Sequence, residues 1–231
     1  MSTNKKMVEH LQQYGVISSE KVARVMETID RALFVPDRTP AYADCPQEIG
    51  YNATISAPHM HATCLQLLEE KLQPGMHALD VGSGKKRGIK WGELGLLGGS
   101  LKRVITSLYA GRAIGVEHIP ELVASSINNI EKSAAAPLLK KGSLSMHVGD
   151  GREGWPECAP YDAIHVGAAA PEMPQALLDQ LKPGGRMVIP VGNIFQDLKV
   201  VDKNPDGSIS IRSESSVRYV PLTSRDAQLQ S

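Results

Sequence analysis

Two apolar runs, each closed by residues suited to holding a nucleotide, constrain this chain more than any other feature. The first, His77-Ala78-Leu79-Asp80-Val81, ends in Gly82-Ser83-Gly84. The second, Arg112-Ala113-Ile114-Gly115-Val116, ends in Glu117. In doubly wound α/β proteins a first strand ends in a glycine turn that brings backbone close to a ligand, and an acid closing the second strand takes the ribose hydroxyls. Gly-x-Gly alone also marks ordinary turns. Strand, turn and second strand with its terminal acid in that order make the stronger signal.

The flanking segments continue the alternation. Pro120 opens a helix with Leu122, Val123, Ile127 and Ile130 on one face. Leu144 to Val148 reads as a third strand ending in Gly149-Asp150-Gly151-Arg152, and Tyr161 to Val166 as a fourth ending in Gly167. A helix from Met173 to Leu181 is stopped by Lys182-Pro183-Gly184-Gly185, and Arg186 to Val191 is a fifth strand. Such alternation predicts an α/β, doubly wound, mostly parallel sheet covered on both faces, with its site along the C-terminal edge. Beyond it, Leu198–Asp202 and Ile209–Arg212 flank the turn Asn204-Pro205-Asp206-Gly207, which predicts C-terminal antiparallel strands.

Ahead of the core, Met7, Val8, Leu11 and Tyr14 share one face of a helix stopped by Gly15. Ser18 or Ser19 caps a second helix carrying Val22, Val25, Met26, Ile29 and Leu33, which Pro36 ends. This N-terminal helical layer reads as a lid or packing layer on the sheet. Pro40 to Ala57 has no periodicity, and long segments of that kind in compact domains are usually functional or disordered. Ser56 is placed as N-cap of a helix opening at Pro58, with Met60, Cys64, Leu65, Leu68 and Leu72 inside. From spacing alone a cap is the plainer role for Ser56. His59 and His61 diverge on a helix, so no metal site is expected.

The 231 residues suit one domain, read as residues 1–58, 59–195 and 196–231 in turn. Lys and Arg number 25, as do Asp and Glu, so no global field recruits nucleic acid or an anionic membrane. No apolar run reaches spanning length and the first residues lack a secretory pattern. Cys45, Cys64 and Cys158 are widely spaced, which fits reduced thiols and a cytoplasmic location.

Between Gln47 and Ala62 the chain reads QEIGYNATISAPHMHA. Together with YDAIHVGAAAP (Tyr161–Pro171), QALLDQLKPGG (Gln175–Gly185) and YVPLT (Tyr219–Thr223), it resembles the protein-L-isoaspartate (D-aspartate) O-methyltransferases. These are class I, Rossmann-like enzymes dependent on S-adenosyl-L-methionine (AdoMet). The resemblance covers nearly the whole chain except about 85–110, where the segment is longer than the family's and opens with Lys85, Lys86 and Arg87 in place of small residues. An insertion by splicing or an error in the gene model would each account for it.

The resemblance implies AdoMet as cofactor, and peptides or proteins carrying isoaspartyl or D-aspartyl residues as partners. It also implies a monomer with no nucleic-acid or membrane partner. By the same resemblance Ala53, Thr54, Ile55 and Ser56 wrap the ligands, with Ser56 at the active-site position. His61, Thr223 and Gln228 fall on the cofactor side. Gly82 and Gly84 remain from the cofactor loop, Glu117 takes the ribose, and Asp150, Gly151 and Arg152 line the adenine end. The substrate carboxylate is ionised near neutral pH, so catalysis would rest on positioning and not on a strong base. Two readings stand at this point: an active methyltransferase, or a variant that keeps the peptide-facing surface, binds AdoMet weakly and acts as a binding protein. A nicotinamide oxidoreductase is disfavoured, since no complete Gly-x-Gly-x-x-Gly is present.

Overall fold

The computed structural model describes residues 1–37, 39–82 and 111–229. Gly84 and the expectations for 85–110 lie outside the described residues.

Seven strands form one sheet. They are β3 (His77–Val81), β4 (Arg112–Glu117), β5 (Leu144–Val148), β6 (Tyr161–Val166), β7 (Leu181–Val191), β8 (Gln196–Lys203) and β9 (Ile209–Val217), in the order β5-β4-β3-β6-β7-β8-β9. The first five are parallel, while β8 and β9 return antiparallel. From β3 the chain builds outward to β4 and β5, then crosses back to lay β6 on the other side. That reversal puts the topological switch point, the crevice position of such folds, at the C-terminal ends of β3 and β6, where doubly wound sheets bind ligands. β7 begins earlier than Arg186, the expected start, because Leu181 already pairs with Tyr161 across an irregular register.

Both faces of the central strands are apolar. Leu79, Val81, Ile114, Val116, Ile164 and Val166 belong to one buried cluster, and Ala78, Ala113, Ala163 and Val188 to another shared with the N-terminal helices. The alanines leave room for those helices to sit close. Across the sheet run α4 (Pro120–Glu131), α5 (Ala136–Lys140) and α6 (Gln175–Gln180), and α7 (Arg225–Leu229) ends the described chain. The helix expected over Met173–Leu181 is thus shorter at both ends.

In the N-terminal layer α1 (Asn4–Gln13) starts at a Thr3 cap and buries Met7, Val8 and Leu11. Tyr14, expected on that face, is instead the C-cap residue, 70% exposed and tilted against His10. Helix α2 (Glu20–Thr28) is capped by Ser19 as expected but does not run on to Pro36. The Asn4 side chain donates to the carbonyls of Met26, Glu27 and Ile29 at 2.7, 3.1 and 3.1 Å, which satisfies the terminal acceptors and closes the helix. A 3₁₀ turn over Arg31–Phe34 follows, capped by Asp30.

The segment read as irregular holds a hairpin. β1 (Gln47–Gly50) and β2 (Ala53–Ile55) pair antiparallel through a two-residue loop, Tyr51-Asn52, with φ of 52° and 56°. Two-residue hairpin loops need left-handed backbone, and Asn-Gly is their usual signature. With a tyrosine in that position and strands of four and three residues, periodicity had little to register. Helix α3 (Pro58–Leu68) leaves β2 and packs Cys64, Leu65 and Leu68 inward.

Candidate active site

The crevice is built first from backbone. Gly82 N–H donates to the Val116 carbonyl at 3.0 Å and Gly167 N–H to that of Val81 at 2.8 Å, so the first residue after each of β3 and β6 is held to the neighbouring strand end. Just below them, Asp80 and His165 are register partners on β3 and β6, both buried, with Nδ1 of the histidine 2.5 Å from the carboxylate. Sequence reasoning passed over this pair as strand residues. Its signal was a polar residue at matching depth in two otherwise apolar runs.

Glu117 ends β4 at 5% exposure, and its Oε1 accepts the Ile119 N–H at 3.1 Å. That bond fixes one carboxylate oxygen at the C-terminal end of β4. The adjacent His118, also missed, is equally buried. Its Nε2 donates to Gln228 Oε1 at 2.7 Å and lies 3.9 Å from Glu117 Oε1. Burial holds the His118 imidazole below its ordinary range, which favours the neutral ring.

Gln228, on α7 and completely buried, gathers the other elements. Its Nε2 donates to the Tyr51 carbonyl at 3.1 Å, and its backbone carbonyl accepts from Asn52 Nδ2 at 3.2 Å. One glutamine therefore joins the end of β4, the β1–β2 turn and the C-terminal helix. Asp150 follows β5 and receives Arg152 through the backbone N–H, Nε and Nη2, at 2.9, 3.0 and 2.5 Å. Those bonds from Arg152 hold the Asp150 carboxyl below its usual range. Its charge and that of Arg152 both act on His118, while Gly151 between them is buried.

Thr223 is half-buried beside the rim. The strand-like stretch before it pairs with the segment after β6: Ala169 N–H donates to Val220, and Leu222 N–H to Ala169, both at 2.7 Å. Ala53, Thr54, Ile55 and Ser56 are all buried, and Ala53 belongs to the cluster that also holds Val81, Val116 and Leu222.

The expected cap role of Ser56 does not hold. The residue at the α3 cap position is Ala57, with no side-chain cap bond, and Asp44 takes over by accepting the His59 N–H at 2.9 Å. The Ser56 hydroxyl makes no hydrogen bond among the described residues, whereas its carbonyl accepts from His61 Nε2 at 3.1 Å. His59 turns to Asp44 and His61 turns inward, so the two rings part as helical spacing requires. Direct contacts join Glu117, His118, Gln228, Tyr51 and Asn52. The Ser56 carbonyl and His61 meet just beyond the C-terminal end of β2.

A family model described as protein-L-isoaspartate(D-aspartate) O-methyltransferase matches residues 2–227. Protein-L-isoaspartate O-methyltransferase 1 of Arabidopsis thaliana is 66% identical over 229 residues, covering 99% of this chain and 95% of its own. The Caenorhabditis elegans protein-L-isoaspartate O-methyltransferase is 44% identical over 232 residues, covering 98% and 95%. Among solved structures, one from Plasmodium falciparum described as a protein-L-isoaspartate O-methyltransferase in complex with S-adenosyl-L-homocysteine superposes with a TM-score of 0.81 at 29% identity, covering 96% of this chain and 99% of that one. Agreement in sequence along the whole chain, and in fold with a protein so described, has one consequence: this chain belongs to the protein-L-isoaspartate(D-aspartate) O-methyltransferase family.

Proposed function

We infer that the protein methylates the free carboxyl group of L-isoaspartyl and D-aspartyl residues in damaged polypeptides, using AdoMet, and so begins their repair. The observation that carries this is the family match from residue 2 to 227, which takes in every proposed site residue except Gln228.

The residues at the crevice suit the cofactor. Glu117 is a buried carboxylate already anchored by one oxygen, an arrangement able to accept from a ribose diol. Gly82 brings backbone to the turn after β3, Asp150 offers ionised oxygens at the next strand end, and Gly151 and Arg152 complete that rim. We assign Gly82, Glu117, Asp150, Gly151, Arg152, His61, Thr223 and Gln228 to the cofactor side. Ala53, Thr54, Ile55 and Ser56 are assigned to the segment between cofactor and peptide. AdoMet supplies an electrophilic methyl group on a sulfonium sulfur. The chain's own task is placement: the Ser56 hydroxyl donates to the substrate carboxylate and orients it. That carboxylate is already charged near neutral pH, so no side chain need remove a proton. The reading as a non-catalytic binding protein has no observation in its favour. We place the protein in the cytoplasm as a monomer without nucleic-acid or membrane partners, a setting that suits Cys45, Cys64 and Cys158 as thiols outside any disulfide. No helix among the described residues is long and apolar enough to cross a membrane.

Incubation with labelled AdoMet and matched isoaspartyl and aspartyl peptides tests the assignment. The expected result is a methyl ester on the isoaspartyl peptide alone. Glu117→Ala should weaken AdoMet binding by roughly 1–3 kcal/mol, the scale of a lost charge-assisted bond. Label on neither peptide would sink the proposal.

A further inference from the structure

Among the described residues the two most exposed large hydrophobic side chains are neighbours: Phe195 at 92% and Ile194 at 80%. They form the tip of the turn between β7 and β8. The turn is held in shape from below. Gly192 has φ of 127°, and a Cβ there would run into the Phe195 carbonyl oxygen, so glycine is required. Gln196 clamps the base, donating to the carbonyls of Asn193 at 3.3 Å and Tyr219 at 3.0 Å and accepting the Tyr219 N–H at 2.5 Å. A polar tip would satisfy solvent better, and two adjacent apolar side chains raised on a braced turn form a contact surface.

Its position says which partner fits. The turn leaves the C-terminal end of β7, and Gly192 N–H donates to the Ala170 carbonyl at 2.9 Å. Ala169, the preceding residue, is bridged to Pro221 just before Thr223. The tip therefore stands at the same C-terminal sheet edge as the ends of β3 and β6, within reach of a polypeptide held there. We propose that Ile194 and Phe195 dock apolar residues flanking the isoaspartyl position of the substrate polypeptide, so that the enzyme favours damaged segments bearing apolar neighbours. Such segments are exposed when a protein loosens. The proposal rests on the methyltransferase reading given above.

The test compares wild type with the double variant Ile194→Ser, Phe195→Ser on two isoaspartyl peptides, one flanked by Leu and Phe and one by Gly and Ser. The expected result is a KM roughly tenfold higher for the apolar-flanked peptide, about 1.4 kcal/mol. The KM for the Gly/Ser peptide, kcat and AdoMet affinity should stay as in wild type. Equal shifts for both peptides, or none, would overturn the docking role while wild-type turnover still upheld the methyltransferase reading. Wild type inactive on both peptides would instead defeat that reading and the docking role with it. Sedimentation velocity adds a further arm: if wild type self-associates and the double variant does not, the tip holds a second copy and the proposal fails.

Discussion

Ser56 shows how a single residue changes meaning between one dimension and three. Spacing makes it a helix cap, yet Asp44 caps α3 and the Ser56 hydroxyl has no bond among the described residues. A hydroxyl with no partner among the described residues contributes little to stability, because removing it leaves no orphaned partner. Ser56→Ala is therefore expected to cost less than the ~0.5–2 kcal/mol of a lost cap and to lower turnover sharply. Asp44→Ala should do the reverse, losing stability on that scale while each folded molecule keeps its turnover. Urea titration and initial rates on the two variants check both halves. A Ser56→Ala protein with unaltered kcat would remove the hydroxyl from the reaction.

At the scale of elements, the C-terminal helix depends on its tether. Five residues of helix cannot stand alone in water, and α7 is held by the buried Gln228 bonds to His118, Tyr51 and Asn52. Gln228→Ala would strip the amide and leave the His118 N–H and the Tyr51 carbonyl unsatisfied, at roughly 1–3 kcal/mol for such groups. Amide exchange over 225–229 should rise and AdoMet affinity should fall several-fold. Wild-type exchange rates in the variant would show that α7 is held by other means. Strong periodicity predicted β3, β5 and β6 at their observed bounds and β4 within a residue. The β1–β2 hairpin and α7 escaped it because each is too short to show a period, and α2 stopped early on account of Asn4, a residue in a different helix.

The molecule as a whole should respond to acid in two steps. Burial lowers the folded-state pKa of both His118 and His147 from 6.5. The unfolded chain thus binds their protons first, and stability present above about pH 6.5 is lost as pH falls through the depressed folded values. A second loss begins below about pH 3.8, where Asp150, held down chiefly by Arg152, and Asp162, held down by Lys182 and the His77 N–H against the opposing effect of burial, become protonated in the unfolded chain first. Denaturant midpoints measured from pH 8 to pH 3 should fall in those two windows. A curve flat between pH 7 and 5 would mean that the histidines are as solvated folded as unfolded.

Periodicity and glycine turns by themselves determined the α/β class, the parallel core and the returning antiparallel strands. All of these follow from which residues prefer water and which do not, a property each short segment carries alone. The motif around Ser56 likewise points to the family from sequence alone. Only the tertiary structure decided which residues meet. His118 and Gln228 stand 110 positions apart, and Asn52 and Gln228 stand 176 apart. Nothing in either neighbourhood signals the other, because hydrogen bonds between buried side chains are chosen by how the sheet and its covering segments pack. The same packing buried Asp80 against His165 and moved the α3 cap from Ser56 to Asp44. It also left Ile194 and Phe195 in solvent, since hydrophobicity records what a side chain prefers and only the completed fold settles whether it is covered.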